Sequence, residues 1–213
     1  MITMEFSDVL NLLFFFIFFL FGHLTVLSRR KERSLSKGRI CDLNGDLVEF
    51  CEDKAITDHL NKVGQRITTA AGYKDGEIII HGYTDEGIQA FCSYPNFVFV
   101  SKGMFEDFRS DDEMAFVLAH EVSHIKFLYN SDIVPDCLEG RRNEEYRADQ
   151  AAVRLMKSAG YDPNEGAQLL WKWMGYLYQS GTDIHSDKES THPTFTKRIA
   201  AINYSILDAE CFS

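Results

Sequence analysis

Apolar residues are distributed along this chain in two contrasting ways. From Val9 to Leu27 they form a near-unbroken run, dense in phenylalanine between Phe14 and Phe21 and interrupted only by Asn11, His23 and Thr25 as polar side chains. As a helix rising about 1.5 Å per residue, this run is about 28 Å long, enough for the hydrocarbon core of a bilayer. It lacks the polar face of a helix packed on a soluble core. Beyond it the apolar positions are periodic. Ile56, Leu60, Val63 and Ile67 repeat at helical spacing and predict a helix over 54–71. Glu77–Ile80, Gln89–Cys92 and Phe97–Val100 predict three short strands, the last two joined by a turn at 94–96. Ser110 followed by Glu113 reads as a capping box. It opens a helix whose apolar residues are Met114, Val117, Leu118, Val122 and Ile125. A loop is expected from Tyr129 to Asn143, then a helix from Glu144 to Ala159 that stops at Gly160. Asp162, Pro163 and Glu165 start a third helix. Pro193 to Leu207 carries Phe195, Ile199, Ile202 and Ile206 on one face and predicts a last one. These elements make an α+β domain over 54–213, mainly helical with a small antiparallel sheet.

Charge refines the N-terminal reading. Residues 28–40 hold six Lys or Arg against the single acid Glu32, whereas the first eight residues hold Glu5 and Asp8 and no base. A cleaved signal peptide would carry its basic residues before the apolar run. The pattern therefore favours a tail (1–8), an uncleaved single-pass anchor (9–27), and a basic linker with a short hairpin turning at Asn44 and Gly45 (28–53). The positive-inside rule places the remainder on the cytoplasmic face, with export to a periplasm or lumen as the alternative. The whole chain of 213 residues has a net charge of −10, which argues against nucleic acid as its partner. Five cysteines, Cys41, Cys51, Cys92, Cys137 and Cys211, show no CxxC pair and fit free thiols, with a disulfide across the hairpin as the other option.

The candidate chemistry lies at His120–His124, which reads His-Glu-Val-Ser-His. Two histidines four apart share one helix face and can reach one zinc ion, and Glu121 is placed to work on its water. A catalytic zinc needs a third protein ligand. Glu145 and Asp149, one turn apart on the next helix, can supply a carboxylate ligand and a partner for a ligand histidine's second nitrogen.

The stretch Glu113–His124 resembles the active-site helix of the HtpX-like and CAAX-prenyl-protease-type zinc metallopeptidases. Glu145–Asp149 resembles that family's E-x-x-A-D segment. Ser158–Pro163 resembles the following turn, and Ser190–Pro193, leading into Arg198 and Ile199, resembles its S-T-H-P segment. Ala90–Phe91 and Phe97–Gly103 resemble the strand pair upstream. The resemblance spans about 54–207. It implies a zincin-like fold, one Zn2+ per chain held by His120, His124 and Glu145, second-shell support from Asp149, and His192 near the metal. There His192 would stabilise an oxyanion or fill the open position; a plain loop histidine is the alternative. The chain departs from the family in having Gln89 where asparagine is usual, Ser93–Asn96 where glycines are common, and one apolar span where many members have several.

The expected function is a membrane-anchored zinc metalloendopeptidase acting on a protein or peptide substrate, with a zinc-activated water and Glu121 as general base. Membrane-protein or misfolded-protein quality control is the expected setting. A latent or non-catalytic binding module of the same fold and a thermolysin-like peptidase are the alternatives. Phe97–Val100 is either an edge strand pairing with substrate or a buried strand. His23, His59, His81 and His185 read as structural or surface residues.

Overall fold

The computed structural model describes residues 48–93, 95–128, 137–181 and 192–211. The apolar run at 9–27, the basic cluster, the hairpin at Asn44 and Gly45, most of the loop after Tyr129, and His185 all lie outside them. Among the described residues no helix is long and apolar enough to cross a membrane.

Helix α1 (Lys54–Ala70) is capped by Asp53, whose carboxylate accepts the Ala55 N–H at 2.9 Å. Its predicted stripe of Ile56, Leu60, Val63 and Ile67 is buried. Three strands follow: β1 (Ile79–Tyr83), β2 (Ala90–Ser93) and β3 (Phe97–Ser101), in the order β1-β3-β2. The antiparallel pair expected from the sequence is β2 with β3. β1 joins β3 in parallel, from Ile79 opposite Phe97 to Tyr83 opposite Ser101, so the sheet as a whole is mixed.

Two expectations shift here. The first strand was placed at Glu77–Ile80. Residues before Ile79 instead form a turn, in which the Glu77 N–H bonds the Lys74 carbonyl at 3.1 Å and Gly76 takes a positive φ of 76°. The second point settles the alternative left at Phe97–Val100. β3 is the central strand, so its backbone is used on both sides, and of the two readings the buried one holds. β1 and β2 are the two edges: residues 49–51 meet the end of β1 near Tyr83, and among the described strands none pairs with the outer side of β2.

A short helix, α2 (Lys102–Asp107), was not foreseen. Ser101 caps it, accepting the Met104 N–H at 3.1 Å. At Gly103 an added Cβ would run into the Glu86 carbonyl group, so only glycine fits this close backbone approach. Helix α3 (Asp111–Leu128) is the centre of the domain, buried at every residue from Met114 to Ile125. Ser110 accepts the Glu113 N–H at 3.1 Å as a cap should. The Glu113 carboxylate reaches one residue further out than a standard box, to the Arg109 N–H at 2.9 Å, and also pairs with the buried Lys172 ammonium at 2.8 Å.

Helix α4 (Leu138–Ala159) begins before the predicted Glu144. Gly140 and a weak Cys137 cap, with Sγ taking the Gly140 N–H at 3.4 Å, disguised its first turns as loop. It stops at Gly160 as predicted, in the left-handed conformation. Helix α5 (Asn164–Ser180) follows Asp162, whose carboxylate accepts the Asn164 N–H at 2.9 Å. Helix α6 (Phe195–Cys211) starts two residues after the predicted Pro193 and buries Ile199, Ile202 and Ile206. α3 packs against α1, α4, α5 and β2, while α6 closes over α4 and α5. One core joins the helices to the inner sheet face of Ile80, Ala90, Cys92, Val98 and Val100, and Tyr83, Phe91 and Phe99 form a smaller cluster on the other face. Cys51, Cys92 and Cys137 form no disulfide among the described residues.

Candidate metal centre

Helical geometry sets His120 and His124 one above the other on α3, with ring centroids 4.6 Å apart and planes at 85°. Both are buried, as is Glu121 between them. α4 crosses α3 at this level. Buried alanines on both helices (Ala115 and Ala119, then Ala148, Ala151 and Ala152) keep the contacting surfaces slim. The crossing brings Glu145 to the histidines: its Oε2 is 3.4 Å from His120 Nε2 and its Oε1 is 3.4 Å from His124 Nε2. The two Nε2 atoms are 3.0 Å apart.

Donor atoms of His120, His124 and Glu145 thus lie within 4.8 Å of one another and can hold a metal ion. A tetrahedral ion with bonds of about 2.0–2.1 Å would set its ligand atoms roughly 3.3 Å apart, close to the spacing found. Glu145 Oε2 is buried without a hydrogen bond, although two imidazoles stand nearby. A buried carboxylate oxygen in that condition is costly unless a cation completes it. The donor set and the orphaned oxygen both fit a bound divalent metal.

Asp149, one turn along α4, is fully buried. It stands 3.0 Å from His120 Nδ1. With the Nδ1 proton held there, Nε2 keeps its lone pair for a metal. Arg198 on α6 grips the same carboxylate with both arms of its guanidinium, Nε to Oδ2 at 2.8 Å and a terminal nitrogen to Oδ1 at 2.7 Å. From the sequence alone Arg198 has no assigned role. The available signal was its position on the buried stripe of α6, beside Ile199 and four residues before Ile202. An arginine there needs a buried acid, and Asp149 is that acid. His192 is also brought in: its Nε2 is 3.2 Å from Glu145 Oε2. His59 instead pairs with Asp111 at 2.7 Å, and His81 stacks on Phe99, so neither joins the cluster.

Burial and charge set the protonation of the centre. Without a metal, burial disfavours charge on His120, but the Asp149 hydrogen bond and the nearby Glu145 carboxylate outweigh it and push its pKa up to about 10. Burial lowers His192 to about 4, and the positive charges of Arg198, His120 and His124 add to the drop against the opposing pull of Glu145. Burial would raise Glu145, yet His192, His124 and His120 hold it well below the usual carboxylate range. Asp149 is likewise lowered, with Arg198 overcoming its burial. Glu121 is raised, mainly by burial. The cluster therefore stabilises positive charge: a proton on His120, or a metal cation in its place.

Comparison with known proteins gives the same picture. A model described as Peptidase family M48 matches residues 55–128 and 127–206. The mitochondrial metalloendopeptidase OMA1 of Arabidopsis thaliana is 30% identical over 139 residues, covering 52% of this chain and 28% of that protein. OMA1 of Schizosaccharomyces pombe is 27% identical over 185 residues, covering 72% of this chain and 54% of that one. The chain spans about half the length of these relatives or less.

Proposed function

Because the chain belongs to peptidase family M48, we propose that it is a zinc metalloendopeptidase tethered to a membrane. The observation that carries this reading is the convergence of His120, His124 and Glu145 with Glu121 on the same helix. His120 Nε2, His124 Nε2 and Glu145 would hold the ion. Zinc bound there supplies Lewis acidity toward a water and toward the scissile carbonyl.

The chain's own groups do the rest. Glu121 takes the proton of the attacking water and passes it to the leaving amine. Its raised pKa suits a group that must both accept and release a proton. Asp149 holds the His120 tautomer, and Arg198 holds Asp149. His192 stays neutral at pH 7 and offers an N–H to the oxyanion. β2, with one side unpaired among the described strands and packed beside α3, receives the substrate backbone by strand pairing. Residues 9–27 anchor the domain as a single span. The bases of 28–40 orient it toward the cytoplasm. Substrates near that surface, membrane proteins or misfolded chains, follow from the tether. The names of the relatives, both metalloendopeptidases, support proteolysis.

The test is the full-length protein in detergent, assayed for zinc by elemental analysis and for cleavage of denatured casein. The wild type cleaves, Glu121→Gln keeps zinc and loses about 10²–10⁴-fold in rate, and His120→Ala loses zinc. Full activity in Glu121→Gln, or unchanged zinc in His120→Ala, refutes the assignment.

A further inference from the structure

We propose that the outer faces of α5 and α6 form a lipid-docking surface, through which the folded domain rests against the bilayer interface. This rests on the reading of residues 9–27 as a membrane anchor. α5 packs on α3 and α6, and α6 packs on α4 and α5, so the two helices form one layer over α3 and α4. Each carries an outward stripe of the same spacing: Trp171, Gly175 and Tyr178 on α5, then Ala200, Tyr204 and Leu207 on α6. Trp171 is 51% exposed, Tyr178 75%, Tyr204 70% and Leu207 62%. The other large apolar side chains exposed among the described residues are Phe50 and Leu138, so the exposure concentrates on this layer. A Cβ added at Gly175 would meet nothing within 4 Å, which leaves the space between Trp171 and Tyr178 open.

Charge singles out the same layer. A quarter of the chain's residues are charged, and the net charge is −10. Between Gly166 and Ser180 the one charged residue is Lys172, whose ammonium is turned inward onto Asp107 and Glu113. Between Ile199 and Leu207 there is none. A solvated helix face in so acidic a chain would carry charges. A face that meets lipid does not, because headgroup phosphates repel acids and the acyl boundary excludes charge. Trp and Tyr suit that boundary, with a ring for the acyl side and an N–H or O–H for the headgroups. The anchor makes weak docking sufficient. Residues 28–47 can span at most roughly 70 Å, so a domain anchored through 9–27 is always beside a bilayer. Docking through α5 and α6 holds the metal centre, which lies between α3 and α4, at one distance from the membrane.

Trp171 and Trp173 are the only tryptophans of the chain, so tryptophan emission reports on this face. Trp173 is buried and donates to Asp107 at 2.9 Å, which makes it an internal reference. The full-length protein is reconstituted in phosphatidylcholine vesicles whose acyl chains carry bromines near the headgroup end, and in unbrominated ones. Quenching by bromine reads the docked face, and carbonate extraction reads the anchor. The Trp171 emission, taken as the difference between wild type and Trp171→Phe, is quenched by bromine, whereas the Trp173 emission left in Trp171→Phe is not. Combining Tyr178→Ser, Tyr204→Ser and Leu207→Ser weakens the quenching of Trp171 and leaves the Trp173 emission unchanged. Trp171 emission insensitive to bromine, or quenching undiminished in the triple variant, overturns the proposal. Emission that shifts with the protein-to-lipid ratio but not with bromine marks the face as a contact between copies and also overturns it. Release of the protein by carbonate refutes the anchor alone, since quenching measured before extraction still decides the docking.

Discussion

Arg198→Met is the most informative single change, because it separates two jobs of one ion pair. In the wild type the guanidinium makes two charge-assisted hydrogen bonds, at 2.8 and 2.7 Å, to a carboxylate with no exposed surface. Methionine fills much of the same volume and offers no donor. Asp149 is then left as a buried carboxylate with His120 as its remaining partner described here. Each lost bond to a charged group is worth roughly 1.5–3 kcal/mol, and breaking a buried pair from one side costs about 3–5 kcal/mol. In a domain of this size that lowers Tm by about 6–20 °C. The metal site suffers as well, because Asp149 no longer holds His120 in one orientation; a loss of about 10–100-fold in zinc affinity is expected. Calorimetry of the full-length protein gives the first number and competition with a zinc chelator gives the second. The double variant Arg198→Met with Asp149→Leu should recover most of the Tm, since replacing both partners by apolar groups leaves no buried charge. It should not recover the zinc affinity, since His120 Nδ1 has then lost its partner. A Tm within about 1 °C of wild type in Arg198→Met, or zinc affinity restored in the double variant, would refute this reasoning.

Other outcomes follow from the same geometry. The folded state of the zinc-free protein resists protonation of His192, whose pKa of about 4 lies below its ordinary 6.5. The unfolded chain then binds the extra proton between those values, so stability falls as pH drops from about 6.5 to 4, by about 3 kcal/mol in all. His192→Gln removes that component, and comparing Tm at pH 7 and pH 5 in the two proteins measures it; equal slopes count against it. Asp149 titrates with a lowered pKa, so the stability it gives is present above its unfolded value near 3.8 and is lost as pH falls further. Arg198→Met should weaken this acid-induced loss in far-UV circular dichroism. Gly103→Ala must push the Glu86 carbonyl aside and should cost about 1–3 kcal/mol in chemical denaturation; an unchanged midpoint would show that the 86–87 turn yields freely. Lys172→Met leaves Glu113 and Asp107 without their shared ammonium and should lower Tm while sparing zinc content, because that network lies away from the histidines.

Legibility differed between local and distant features. His120, Glu121 and His124 could be read because a helix of fixed pitch turns a four-residue spacing into a shared face. Glu145 and Asp149 obeyed the same rule on α4, and the family resemblance joined the two helices. The start of α4 was hidden because Gly140 and a cysteine cap imitate a loop. α2 was hidden because six residues carry too little periodicity to announce a helix. The edge strand stayed open because the apolar content of Phe97–Val100 fits both a substrate-binding and a buried position, and strand order cannot be read from content.

The sequence by itself therefore determined most of the helices and the shared face of His120 and His124, which follow from spacing within a few residues, while the family resemblance linked Glu145 to them. Tertiary structure alone decided that β1 runs parallel to β3, that β2 lies on the outside, and that Arg198 reaches 49 positions back to Asp149. These are contacts between elements whose order in space depends on how a whole core packs. No local period encodes that order, because the free energy that selects it is shared among all the buried residues at once.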